Sequence, residues 1–175
     1  AEKGIERARA DSIGMLATVM NALAMEGALE QIGQPARVLS AVAMPSQCQP
    51  YSRQAALAHL VKNRVIMLAG GTGNPFFTTD TGAALRAAEL SCDAVMKATN
   101  VDGVYTADPK KDPDARRYER LTHDEAINRN LQVMDTAAFA LARDNRLPIV
   151  VFSVHEPGAI EAALLGRGRA TYVMP

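Results

Sequence analysis

The stretch Arg64-Val65-Ile66-Met67-Leu68-Ala69-Gly70-Gly71-Thr72-Gly73-Asn74-Pro75-Phe76-Phe77-Thr78-Thr79-Asp80 decides the fold class of this 175-residue chain. It begins with a short, mostly apolar run of six residues, which two glycines follow directly. That order is typical of a buried parallel strand that ends in a tight turn. From Thr79 to Leu90 the apolar residues then recur at helical spacing. A strand, a glycine turn and a helix in this order predict an α/β protein.

The rest of the chain repeats this alternation of strands and helices. Further strands are predicted at Arg37–Met44, Ala94–Ala98, Pro148–Val154 and Ala170–Met174, and further helices at Ile13–Ile32, Ser52–Asn63, Asp124–Asn128, Asp135–Asn145 and Pro157–Leu165. The segment from 101 to 117 is rich in turn signals and is predicted to be a hairpin or an extended loop. The pattern predicts one domain built as a three-layer sandwich, a mainly parallel sheet with helices on both faces.

The first helix is apolar on almost every face. Asp11 and Ser12 are predicted as its N-caps, and Gly33 is predicted to end it. A helix that is apolar all round is buried on more than one side. In a small domain the second side often belongs to another subunit, so we expect a homo-oligomer.

Composition excludes several classes of function. The formal net charge is +0, which argues against nucleic acid or a membrane surface as a partner. We expect no stretch to be long enough or free enough of charge to span a bilayer. Cys48 and Cys92 are far apart and lack a CxxC partner, so a disulfide framework or zinc cluster is not expected. Reduced thiols favour a cytoplasmic protein.

Residues 70–80, which we call the elbow, are the first candidate site. Ligands of open α/β sheets bind at the carboxyl ends of strands, where glycines allow a close approach and the amides at a helix start favour an anion. Asp80 falls in the first helical turn, where a carboxylate is stabilised. A plain glycine turn before a capped helix is the alternative, although such a turn does not need Phe76 and Phe77. Neither a dinucleotide fingerprint nor a Walker A loop fits these residues.

The second candidate site is Lys97-Ala98-Thr99-Asn100-Val101-Asp102-Gly103-Val104-Tyr105-Thr106-Ala107-Asp108-Pro109, which follows the strand predicted at Ala94–Ala98. A lysine, hydroxyls, an amide, an aromatic ring and carboxylates come together there. Tyr105 can stack on an adenine, and Asp108 can bind ribose hydroxyls. A solvated β-hairpin without a ligand is the alternative.

Taken together, these stretches resemble the bacterial uridylate kinases of the amino-acid kinase superfamily. The matching residues are Asp11-Ser12-Ile13-Gly14-Met15-Leu16-Ala17-Thr18-Val19-Met20-Asn21, Gly71–Asp80, Lys97–Pro109, Val133–Asp135 and Leu147–Ile149. The resemblance runs in order over essentially the whole chain. Relatives that phosphorylate acylglutamate, carbamate or aspartate share the Lys-x-Thr-x-Val-Asp-Gly loop but lack Thr-Gly-Asn-Pro-Phe-Phe-Thr-Thr-Asp.

The resemblance implies a kinase of pyrimidine nucleotide biosynthesis that converts ATP and UMP to ADP and UDP with Mg²⁺, as a homohexamer regulated by GTP and UTP. It also implies a role for each matching residue. The implied UMP contacts are Asp11, Thr72, Gly73, Asn74, Pro75, Phe76, Phe77, Thr78 and Thr79; the implied ATP contacts are Thr99, Asn100, Tyr105 and Asp108; and Asp80 resembles the carboxylate that orients the catalytic lysine.

One departure from the family pattern affects activity. The family opens with a strand that bears a lysine for the transferring phosphate, then a glycine-rich turn and an arginine, and none of these precedes Asp11 here. We therefore expect the N-terminal strand–helix units to be missing, so that residues 1–175 alone retain part of the nucleotide site without turning over.

Two alternative functions stay open at this point. One is a non-catalytic nucleotide-binding or storage protein on the same fold, and the other is a superfamily kinase with an acyl acceptor.

Overall fold

The structure is a computed structural model that describes residues 4–109, 111–131 and 133–175. The chain divides into two compact units, residues 1–82 (unit 1) and 83–175 (unit 2). The two units are described separately below. The prediction of a single domain lacking its N-terminal strand–helix units stays a prediction.

Unit 1 is a small parallel sheet with two complete helices. Its elements are α1 (Arg7–Gln31), β1 (Ala36–Ser40), β2 (Gln49–Pro50), α2 (Arg53–Leu60), β3 (Val65–Ala69) and the first turn of α3 (Thr79–Glu89). The strand order is β2-β1-β3, and both pairings are parallel. Strand β3 was predicted to be buried, but Val65 is exposed and only Ala69 is fully buried. The reason is its position, because in the described part of unit 1 strand β3 pairs with β1 alone.

Helix α1 packs on β1 and β3 by one stripe only. Val19 and Ala22 are its buried residues, and they contact Val38 and Ala69 of the sheet. A second apolar stripe, which includes Ile13, Leu16 and Met20, is exposed. The chain by itself therefore buries one side of α1. The expectation that another subunit covers the second side stays a prediction.

The start of α1 also differs from the prediction. Asp11 and Ser12 lie inside the helix, and the Ser12 hydroxyl donates a hydrogen bond to the carbonyl of Ala8. Arg7 to Ala10 are good helix formers, so the helix extends a turn further back.

By length and composition alone, α1 could cross a membrane, which contradicts the expectation that no stretch could. A single such helix is weak evidence, because core helices of soluble proteins meet the same criteria.

Unit 2 is a mixed sheet between helices. It contains the rest of α3, then β4 (Val95–Thr99), β5 (Arg120–Thr122), α4 (His123–Asn128), α5 (Thr136–Asp144), β6 (Ile149–Ser153), α6 (Ala159–Leu164) and β7 (Ala170–Met174). The strand order is β4-β6-β7-β5, with an antiparallel pairing between β6 and β7 and parallel pairings elsewhere.

The side chains of β6 show that helices cover both faces of this sheet. Ile149 and Val151 belong to the core that includes Phe139 of α5, whereas Val150 and Phe152 pack with Ala163 of α6. Alternate residues of a strand point to opposite faces. The predicted α/β fold class with a three-layer arrangement is thereby confirmed.

Candidate functional site

Three glycines shape the elbow at the carboxyl end of β3. Gly70, Gly71 and Gly73 have φ values of 78°, 55° and 80°, a region that glycine adopts freely. A Cβ atom on Gly70 would lie 3.1 Å from the Val42 nitrogen, and one on Gly73 would lie 3.2 Å from the Ala41 oxygen. The elbow therefore follows the segment after β1 so closely that side chains at Gly70 and Gly73 would crowd its backbone.

Helix α1 fastens this elbow at two points. Asp11 Oδ2 accepts a hydrogen bond of 2.8 Å from the Phe76 amide, and Thr18 Oγ1 accepts one of 2.9 Å from the Gly70 amide. Arg7 forms an ion pair of 3.5 Å with Asp11 and lies over the Phe76 ring, 5.7 Å from its centroid. Phe76 has a φ of 71°, an unusual value for a residue with a side chain. Residues of α1 thus hold the elbow in a shape that it would not adopt alone.

A cavity of about 250 Å³ lies between α1 and the elbow. Five of the predicted site residues line it, namely Asp11, Thr72, Asn74, Phe77 and Thr79. The other four residues of the predicted set, Gly73, Pro75, Phe76 and Thr78, belong to the elbow but are not among the lining residues. Phe76 and Phe77 are 63% and 56% exposed, so two large apolar rings face solvent beside the cavity.

The elbow leads directly into the start of α3. The Thr78 hydroxyl accepts a hydrogen bond from the Thr81 amide, and the Thr78 carbonyl accepts one from Gly82. Thr78 therefore caps the helix. Thr79 is exposed, and Asp80 is half-buried in the first helical turn. An anion beside Thr79 would meet the positive end of this helix.

In unit 2, residues 101–109 and 111–118, which we call the 101–118 loop, contain most of the second candidate site, Lys97–Pro109. The Tyr105 hydroxyl donates a hydrogen bond of 2.6 Å to Asp102 Oδ1, and this bond, followed by burial, raises the pKa of Tyr105. Asp102 also forms an ion pair of 3.1 Å with Arg169. An isolated antiparallel bridge joins Tyr105 to Arg117, so the predicted hairpin is present only as this minimal pairing.

The 101–118 loop borders a cavity of about 510 Å³. Tyr105 and Asp108 line it, together with Lys111 and Val133. The volume falls in the range of small-molecule sites. Two other predicted site residues, Thr99 and Asn100, lie at the carboxyl end of β4 and are not among the lining residues.

Sequence reasoning missed part of the first cavity. Gly14, Met15 and Thr18 line it alongside Asp11. Their spacing of three, four and seven residues from Asp11 places all four on one face of α1. That periodicity was visible in the sequence, and Thr18 is a polar residue within an otherwise apolar segment. The contact of Thr18 with Gly70, 52 residues away, was not visible.

Neither cysteine nor any acidic cluster marks a preformed metal centre. Cys48 and Cys92 are both free, as predicted. Among residues 4–109, 111–131 and 133–175 there is no group of three or more His, Cys, Asp or Glu side chains that could hold a metal ion.

Comparisons with known proteins agree with these features. The amino acid kinase family matches residues 1–153. The chain is 66% identical over its whole length to a uridylate kinase of Azorhizobium caulinodans, covering 74% of that protein, and 58% identical over 99% of its length to one of Nitrobacter winogradskyi, covering 73%. The crystal structure of UMP kinase from Ureaplasma parvum superposes with a TM-score of 0.94 at 38% identity, over 98% of this chain and 73% of that one. A Bacillus anthracis UMP kinase structure gives 0.93 at 38% identity, over 98% of this chain and 71% of that one.

Proposed function

The chain belongs to the uridylate kinases of the amino acid kinase family, and from this premise we propose which of its residues bind the two nucleotides. The reaction is the transfer of the γ-phosphoryl group of ATP to UMP, which gives ADP and UDP. The protein is thus a phosphotransferase. No observation favours a storage protein or a kinase with an acyl acceptor.

We propose that UMP occupies the cavity between α1 and the elbow. The observation that carries this proposal is the hydrogen bond between Asp11 and the Phe76 amide, which closes the elbow against α1 beside that cavity. In this proposal Asp11 binds the ribose, Thr72 and Asn74 lie near the uracil, and Thr79 lies near the acceptor phosphate. Gly73, Pro75, Phe76, Phe77 and Thr78 complete the contact surface.

The acceptor phosphate then lies at the start of α3. The helix dipole stabilises negative charge there, and α3 has 11 residues, enough for a substantial dipole. Phosphoryl transfer depends on positioning and on stabilising spread negative charge. We assign to Asp80 the orientation of a cationic group at the transferring phosphate.

We propose that ATP binds at the 101–118 loop. Tyr105 presents its ring to the larger cavity while its hydroxyl is held by Asp102, so the ring orientation is fixed before a nucleotide arrives. Asp108 lines the same cavity and is placed to accept hydrogen bonds from ribose hydroxyls. Thr99 and Asn100 would contact ATP from the end of β4.

The reaction needs a metal ion, and we propose Mg²⁺. This ion usually keeps several waters and binds through one or two carboxylates and substrate phosphates, not through a dedicated protein cage. The absence of a cluster of three or more ligands among the described residues fits an ion that arrives with ATP. When bound, Mg²⁺ neutralises charge on the phosphates. Asp80 is the residue of this chain that we expect nearest to it.

Three further properties are proposals that rest on the resemblance. We expect a homohexamer, in which the exposed apolar stripe of α1 contacts another copy of the chain. We expect a cytoplasmic enzyme, because its substrates are free nucleotides. Regulation by GTP and UTP stays a prediction without assigned residues.

The proposed acceptor site is tested by steady-state kinetics of the full-length protein with UMP and CMP as acceptors. We expect a clear preference for UMP in a coupled assay of ADP release. Asp11→Asn removes a charged acceptor, so the KM for UMP should rise about tenfold while the KM for ATP changes less than about twofold. Glu6→Gln, an exposed carboxylate just before α1, is the matched control and should change neither constant. Equal use of UMP and CMP would refute the assignment of the acceptor.

A further inference from the structure

The base of the 101–118 loop is tied to β7 by a single buried hydroxyl group. The Thr171 side chain is fully buried, and its Oγ1 accepts a hydrogen bond of 2.9 Å from the Val104 amide. The same oxygen donates one to the Tyr118 carbonyl. Val104 and Tyr118 also bond to each other, because the Tyr118 amide donates to the Val104 carbonyl at 2.8 Å. Thr171 thus links the two ends of the loop.

The residues on either side of Thr171 and of Val104 reinforce this link. Arg169 pairs with Asp102, and an Arg117 guanidinium nitrogen donates to the Ala170 carbonyl. Gly103 packs so tightly against the Thr171 hydroxyl that a Cβ atom there would collide with it. Three consecutive residues, 169 to 171, therefore each hold the 101–118 loop.

Besides these ties to β7, the loop is shaped by bonds among its own residues. Its only described strand pairing is the single bridge between Tyr105 and Arg117. The Thr106 amide donates to the Arg116 carbonyl, the Arg116 amide donates to the Thr106 hydroxyl, and further local bonds form turns between residues 108 and 115. Tyr105 immediately follows Val104, the residue that Thr171 binds. Thr171 is not among the residues that line the 510 Å³ cavity, so any effect on a ligand there must pass through the loop.

We propose that Thr171 is a positioning residue for the nucleotide that binds at the 101–118 loop. By bridging Val104 and Tyr118 it holds the base of the loop on β7 and so sets the direction in which the segment with Tyr105 and Asp108 runs to the cavity. This inference rests on the proposed function, in which that nucleotide is ATP. Thr171 touches neither nucleotide and takes no part in the chemistry.

The test compares Thr171→Val with Thr171→Ser in the full-length protein. Valine keeps the shape but leaves a buried amide and a buried carbonyl unpaired, whereas serine keeps the bridging hydroxyl. We expect the valine variant to raise the KM for ATP about tenfold, with the KM for UMP changed less than about twofold. The serine variant should restore most of the ATP affinity. An unchanged KM for ATP, or equal rises for ATP and UMP that serine does not restore, would overturn the proposal.

A second variant and a second readout keep the test decisive. If Thr171→Val does not fold, Arg169→Gln removes only the ion pair with Asp102, and it should raise the KM for ATP by roughly threefold; no rise would count against the proposal. Direct calorimetric titration with ATP alone should show the same order, with wild type and the serine variant tighter than the valine variant. If UMP proves not to be the acceptor, the proposed function fails, whereas this titration still decides the role of Thr171.

Discussion

Phe76 shows, at the scale of one residue, what sequence could and could not predict. Its position among three glycines and its partner Phe77 suggested a site, because bare turn-making does not need aromatic rings. Its positive φ was not predictable, and neither was its bond to Asp11, because that bond joins residues 65 positions apart. Such a conformation costs about 1–3 kcal/mol and persists where surrounding contacts impose it. The bond to Asp11 is one such contact, so Asp11 both shapes the elbow and lines the cavity.

The role proposed for Asp80 can be tested by replacing this single residue. We expect Asp80→Asn to lower kcat about 100-fold or more and to change the KM for UMP less than about threefold, because the carboxylate is proposed to act on the transition state. Steady-state kinetics of the full-length protein with varied UMP would measure both constants. Asp93→Asn, an exposed aspartate just after α3, serves as the matched control and should leave them unchanged. Turnover equal to wild type in Asp80→Asn would remove Asp80 from the catalytic machinery.

At the scale of the element, helices and strands of five residues were predictable, whereas strands of two or three residues were not. Helix α3 and strand β7 match their predicted starts, and Ser52 caps α2 as its sequence suggests. Strands β2 and β5 have only two and three residues, too few to show a period, and tertiary pairing alone creates them. The start of α4 shows the same limit. Its capping box, Thr122 with Glu125, is a local sequence signal, but nothing local predicts the burial of His123.

Buried His123 makes the stability of α4 depend on pH. Burial lowers the pKa of His123, and Arg143 acts in the same direction, while Asp124 and the backbone of Leu147 and Met174 oppose the shift. The ring also sits in the first turn of a helix, where a cation is disfavoured. The folded protein therefore binds this proton less readily than the unfolded chain, so this contribution is complete above about pH 6.5 and is lost as pH falls below it.

Urea unfolding between pH 5 and pH 8 would measure this effect. Wild type should lose stability below about pH 6.5, and His123→Gln should lose less over the same interval. The comparison with the variant is needed because burial also lowers the pKa of His59, which acts in the same window. The pKa of Glu125 is lowered by its bond to the Thr122 backbone, so its titration lies at more acidic pH. Parallel pH profiles for wild type and His123→Gln would rule out His123 as the source.

At the scale of the whole molecule, the exposed stripe of α1 is the main feature that a single chain leaves without an internal partner. Ile13, Leu16 and Met20 recur at helical spacing and are 52%, 43% and 71% exposed. Val19 and Ala22 of the same helix are buried instead and pack on the sheet. The sequence showed an all-round apolar helix but could not show which side the chain itself covers, because that depends on the packing of β1 and β3. An uncovered apolar stripe of this kind marks a contact with another molecule.

The proposed occupant of that stripe is a second copy of the chain. Met20→Glu would place a charge at the centre of the contact, and burying an unpaired charge is strongly unfavourable. We expect light scattering after size-exclusion chromatography to show a smaller assembly for this variant than for the full-length wild type. Gln31→Glu, an exposed position at the end of α1, adds the same charge outside the stripe and should leave the assembly unchanged. An unaltered mass for Met20→Glu would show that the apolar stripe does not form the contact between subunits. That result would not bear on the proposed nucleotide sites, because Met20 lines neither cavity.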